Sequence, residues 1–127
     1  MHVSTTTPTL DRGPLEMFAG LQDEGGDLVP QIVRMFVADT DKSLAEATNA
    51  ISDENLTTLR WIAHNLVGSC GTIGAARMRA LAMDLEETLN GGHLTEAGSN
   101  VQKLVEEFGL VRAILGQYTG ADTHRHS

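Results

Sequence analysis

This 127-residue sequence contains no run of eighteen apolar residues, which rules out a membrane-spanning helix of the ordinary kind. The opening "MHVSTTTPTL" has no basic flank leading into an apolar core, so it does not read as a secretory signal. Cys70 is the single cysteine and has no intrachain partner for a disulfide. That suits a reducing compartment, and the cytoplasm is the expected location. Aromatic residues make up only 4% of the chain, and strand-like alternation of apolar and polar residues persists nowhere. What remains is helix.

Acidic residues are missing from one region in particular. Seventeen Asp and Glu against nine Lys and Arg give a net charge of −8, which argues against nucleic acid as a partner because its phosphates are repelled. Yet nothing between Glu54 and Asp84 is acidic, and Arg60, Arg77 and Arg79 lie there instead. This is either chance clustering or a local cationic patch suited to a phosphate or to acidic partner groups.

With 41% apolar residues, the chain is long enough for one domain with a real core and too short for two. Helical spacing recurs four times. The first segment follows "EGGD", with Asp27 placed to cap and Pro30 tolerable in a first turn. Its stripe is Val29, Val33, Phe36, Thr40, Leu44, Ala47 and Ile51. The second is expected to be capped by Asp53 and presents Leu56, Leu59, Ile62, Leu66, Cys70 and Ile73. Met78, Leu81, Ala82, Leu85 and Leu89 define a third that stops at Gly91 and Gly92. The fourth, from a cap near Thr95, carries Val101, Leu104, Val105, Phe108, Val111 and Leu115. Short links make these antiparallel neighbours, so the expected fold is all-α: an up-down-up-down four-helix bundle with a short extra N-terminal helix around Leu15 to Leu21. Residues 1–12 are expected to be a disordered lead-in, 13–116 the bundle and 117–127 a flexible tail.

The stretch "WIAHNLVGSCGTIGA", Trp61 to Ala75, is helical in its hydrophobic spacing yet holds Gly68, Gly71 and Gly74 beside His64. A glycine inside a helix costs about 1 kcal/mol relative to alanine. On a helical wheel, Leu59, Ile62, Leu66, Cys70 and Ile73 fall opposite His64, while Thr57, Arg60, Trp61, Val67, Gly68 and Gly71 lie within roughly 60° of it. The histidine therefore points away from the core. Glycines on that face remove side chains around the imidazole and leave room for another protein's surface. Gly74 instead ends one helix and begins the next, and Gly71 can be read the same way; Gly68, a full turn earlier, is not explained that way. An exposed imidazole can act as a nucleophile. Attack on phosphorus needs open space for in-line approach and positive charge for the phosphoryl oxygens, which Arg60 on the same face is placed to supply.

These residues resemble a known family. "AHNLVGSCGTIGAARMRALAMDLEETL" is similar to the histidine-containing phosphotransfer (HPt) domain of two-component phosphorelays, through Ala63, His64, Leu66, Gly68, Ser69, Gly74, Ala75, Met78, Leu85 and Glu86. The upstream "LVPQIVRMFVADTDKSLAEATNAI" looks like that family's first long helix, and the likeness spans roughly Pro14 to Leu115. The resemblance implies that Nε2 of His64 accepts a phosphoryl group from a receiver-domain aspartate and passes it to another. The receiver brings the Mg²⁺, and Gly68 is clearance for it. The expected partners are receiver domains of response regulators or hybrid histidine kinases, and the chain is expected to be a monomer without affinity for membrane or nucleic acid. It is a phosphocarrier rather than an enzyme, with no ATP-binding signature. If excised from a larger chain, the implied parent is a hybrid sensor histidine kinase. One departure stands out: the family's lysine three residues after the histidine is Val67 here. Charge at the site must then come from Arg60, or from Arg77 or Arg79 on the next helix, while Trp61, Val67, Gly68 and Gly71 form the expected docking surface.

Other chemistry is weaker. Cys70 and Met78 read as core, Met83 as bundle filler and His93 as a solvated loop residue. His124 and His126 lack further metal ligands nearby in sequence. "GSCG" is neither a phosphate loop nor a nucleophile elbow, and "DLEETL" lacks the spacing of a paired-carboxylate site. The rival reading is a non-catalytic helical module that binds receivers or kinases through the Trp61, Val67 and Gly68 surface without phosphotransfer.

Overall fold

The computed structural model describes residues 7–21 and 26–118. Five α-helices follow one another: α1 (Gly13–Leu21), α2 (Leu28–Ser52), α3 (Leu56–Ile73), α4 (Ala76–Asn90) and α5 (Leu94–Leu115), with a closing 3₁₀ turn at Gly116–Tyr118. No strand occurs among the described residues. Helices α2 to α5 each pack on their neighbour in sequence, and α5 closes the ring against α2, which is the antiparallel four-helix bundle. Helix α1 lies across α2 and the edge of α3, seated by Leu15.

The expected stripes form most of the core, with changes in every helix. In α2 the last buried position is Ala50 rather than Ile51; in α3 Leu56 is only half-buried and Ala63 joins the buried set; in α4 Leu81 is only half-buried; and in α5 Ala97 joins, Val105 is 44% exposed and Glu107 is buried. Fully burying a Leu, Ile or Val side chain stabilises by roughly 1.5–3 kcal/mol, so the buried leucines and isoleucines of α3, α4 and α5 dominate the packing. Phe36 and Phe108 meet edge to face at 6.4 Å between centroids and tie α2 to α5.

The caps differ from their sequence signals. Asp27 occupies the N-cap of α2, but its carboxylate accepts from the Gln31 side chain at 2.8 Å and not from the backbone. Asn55, not Asp53, caps α3: its Oδ1 accepts from the Thr58 amide at 3.1 Å, while Asp53 ends α2. The cap of α5 is His93 and not Thr95.

The lead-in also needs correction. Residues 7–12, expected to be disordered, form a strap across the α3–α4 turn. The Asp11 amide donates to the Gly74 carbonyl at 2.7 Å and the Arg77 amide to the Pro8 carbonyl at 3.0 Å. Arg12 donates to the Tyr118 hydroxyl at 2.8 Å, so the first two residues of the expected flexible tail are likewise ordered. These contacts run through backbone groups and one distant side-chain pair, which composition does not reveal. Residues 1–6 and 119–127, with His124 and His126, lie outside the described residues.

Candidate functional site

The site begins with the turn between α3 and α4. Gly74 ends α3 in the left-handed region at φ 93, where a side chain is strained, and its amide bonds back to the Cys70 carbonyl at 2.9 Å. A Cβ at Gly74 would also collide with the Asp11 carbonyl of the strap. Because α4 starts at once, its residues fold back along α3 in a fixed register. That register sets Glu86 beside His64 and Arg79 beside Gly71.

His64 stands on the solvent face of α3, its side chain 81% exposed, while Ala63 beside it in sequence is buried. Nδ1 lies 3.3 Å from Oε2 of Glu86. A carboxylate accepts hydrogen bonds, so this partner assigns the ring proton to Nδ1 and leaves the Nε2 lone pair facing outward. Glu86 appeared in the sequence only as part of a family pattern. The signal that identifies its role is the combination of that pattern with a tight glycine turn, which fixes how far back along α3 each residue of α4 reaches.

The three glycines near His64 have three different jobs. Among the described residues, nothing but its own stretch of helix backbone comes within 4 Å of a Cβ built on Gly68, so this position is open space one turn from the imidazole. At Gly71 a Cβ would sit 3.1 Å from Arg79 Nε and 3.3 Å from its Cδ: Gly71 is where Arg79 lies down, not part of an empty strip. Gly74 is the turn.

The candidate cations divide in the same way. The Arg60 Nη2 donates to the Leu89 carbonyl at the end of α4, at 3.4 Å. Arg77 donates through Nε and Nη2 to the Thr7 carbonyl, at 3.1 and 2.8 Å, and so holds the strap. Arg79 remains on the exposed face. Val67, expected on the docking surface, is half-buried and packs on the core. Trp61 is 65% exposed and borders a groove between α2 and α3 with Asp39, Lys42, Glu46 and Asn65. Cys70 is buried, and desolvation pushes its thiol up to about 12, so it is inert at neutral pH. Among the described residues, no three His, Cys, Asp or Glu side chains are grouped to hold a metal ion, and no helix is long and apolar enough to cross a membrane.

Fold and site together define an all-helical protein that presents one oriented, solvent-facing histidine. Residues 31–116 match the Hpt domain family, and the chain belongs to it. It is 28% identical over 101 residues to pseudo histidine-containing phosphotransfer protein 1 of Oryza sativa subsp. japonica, an alignment that covers 77% of this chain. The chain spans about half the length of that relative, 54%. Among solved structures, histidine-containing phosphotransfer protein B (HptB) from Pseudomonas aeruginosa PAO1 superposes with a TM-score of 0.78 at 26% identity, covering 88% of this chain and 95% of that one.

Proposed function

We propose that this domain is a phosphorelay carrier, in which His64 takes a phosphoryl group from a receiver-domain aspartate and delivers it to another. One observation carries the reading: an imidazole oriented through Nδ1 by a carboxylate, with Nε2 free in solvent beside the bare backbone of Gly68. The Nε2 lone pair attacks phosphorus in line. The Nε2–P bond forms as the P–O bond to the aspartate breaks, and the aspartate leaves as a carboxylate with the bonding electrons. The ring gains positive charge as it is phosphorylated, and Glu86, holding the Nδ1 proton, offsets that charge. Delivery is the same step in reverse. The receiver supplies Mg²⁺ and most of the charge stabilisation; this chain supplies an aimed nucleophile and room to approach it. The domain works as a monomer in the cytoplasm, and where it forms part of a larger protein that protein is a hybrid sensor histidine kinase.

The test is to mix the purified chain with receiver domains labelled on aspartate, in Mg²⁺. Acid-labile label should move to the wild type and not to His64→Gln. Wild type and variant equally unlabelled across a panel of receivers would leave the rival module, which binds without chemistry, in its place.

A further inference from the structure

The docking face has a charge problem. His64 sits beside the carboxylate of Glu86, and the whole chain carries −8. A receiver bearing an aspartyl phosphate adds more negative charge, including the carboxylates that bind its Mg²⁺ through oxygen. Two such surfaces repel unless a cation stands between them. Arg60 and Arg77 keep their charge, but each already commits donors to a backbone carbonyl, Leu89 and Thr7 respectively. Lys42, in the groove beside Trp61, is bracketed on its own helix by Asp39 and Glu46, one turn to either side. Arg79 is exposed and has no hydrogen-bond acceptor or ion-pair partner among the described residues. Its side chain lies along α3 because Gly71 has no Cβ there. That places the side chain's path on the His64 face, about two helical turns or roughly 10 Å along the axis from the imidazole.

We propose that Arg79, seated on Gly71, is the electrostatic anchor that receives the acidic mouth of the receiver domain. This rests on the carrier reading above and adds the residue that recruits the partner. The anchor acts on encounter and orientation, not on the phosphoryl group itself. Gly71 is then a seat for an arginine, where the sequence suggested either partner clearance or a helix end. The same register that brings Glu86 to His64 brings Arg79 to Gly71, so one turn builds both the nucleophile's orienting contact and the docking cation.

The experiment uses the full chain and purified receiver domains phosphorylated with acetyl phosphate in Mg²⁺, with transfer followed against receiver concentration at several salt concentrations. Arg79→Glu is expected to raise the half-saturating receiver concentration roughly tenfold at low salt and to flatten the salt dependence, with a smaller effect on the maximal rate. Arg79→Lys should recover most of the loss. Lys103→Glu, the same charge change on exposed α5, should match wild type, and thermal melts confirm folding. Gly71→Ala should weaken docking in wild type yet add nothing in an Arg79→Ala background, because both act through one side chain. The proposal is overturned if Arg79→Glu docks like wild type, if Lys103→Glu is as damaging, or if the Gly71→Ala penalty persists without Arg79. Should the wild type accept no phosphoryl group from any receiver, the carrier reading falls and this inference with it. A transferring wild type with an indifferent Arg79→Glu removes only the inference.

Discussion

Gly68 offers a quantitative test, because stability and function make opposite demands on it. It lies inside α3, exposed, with no left-handed φ and, among the described residues, nothing beyond its own helix backbone within 4 Å of a built Cβ. None of those residues therefore requires glycine there. Replacing it with alanine should stabilise the domain by about 0.8–1 kcal/mol from backbone entropy alone. For a domain of this size that is a rise in melting temperature of about 4 °C. Gly71→Ala should gain less, since its Cβ meets Arg79 at 3.1 Å. Circular dichroism melts and urea titrations with an unchanged slope measure both. Gly68→Gln should also fold well, because glutamine is a good helix former, yet its side chain fills the space one turn from His64 and should abolish receiver docking. A Gly68→Ala variant less stable than wild type would refute the open-space argument. A fully folded Gly68→Gln variant that docks and transfers normally would refute the functional explanation of the glycine.

Three further outcomes follow from neighbouring groups. Gly74→Ala should lose about 2 kcal/mol, since it combines a left-handed φ with a collision against the Asp11 carbonyl, and hydrogen exchange should then rise in residues 7–12. Glu86→Gln should slow acceptance on the order of tenfold with little change in receiver affinity, because the carboxylate orients the ring and offsets its charge; equal rates would show the contact to be incidental. Burial raises the Cys70 thiol to about 12 against an ordinary 9.0, so the folded state keeps a proton that the unfolded state releases. Stability from this source is complete below pH 9 and declines as pH rises toward 12, with a slope approaching 1.4 kcal/mol per pH unit. Comparing wild type with Cys70→Ala between pH 8 and 11 isolates it, and a thiol reagent should label native protein only through unfolding.

Much of this was legible in the sequence, and what was not has a common cause. Apolar periodicity placed four helices and His64 on the correct faces, because burial follows the 3.6-residue repeat directly. Caps were harder: Asp53 and Asn55 are both good N-cap residues two positions apart, and only the chain's path decides between them. A helical wheel places Cα positions, whereas a long guanidinium side chain ends wherever it finds a carbonyl, as Arg60 and Arg77 do. Glu86 could not be paired with His64 without the register of α4 on α3, a property of the Gly74 turn and not of either helix. Glu107, three residues after Leu104 and four before Val111, is buried at 6% exposure, and its Oε2 has no hydrogen-bond partner among the described residues.

The most direct measurement is which atom of the chain carries phosphorus after exposure to a phosphorylated receiver. In ¹⁵N-histidine-labelled protein, ring nitrogen shifts and their coupling to phosphorus separate the two phosphohistidine isomers. Nδ1 is engaged by Glu86 and the ring is solvent-exposed, so a single Nε2-phosphorylated histidine is expected, and it should disappear in His64→Gln. Phosphorus on Nδ1, on another residue, or retained in His64→Gln would contradict it.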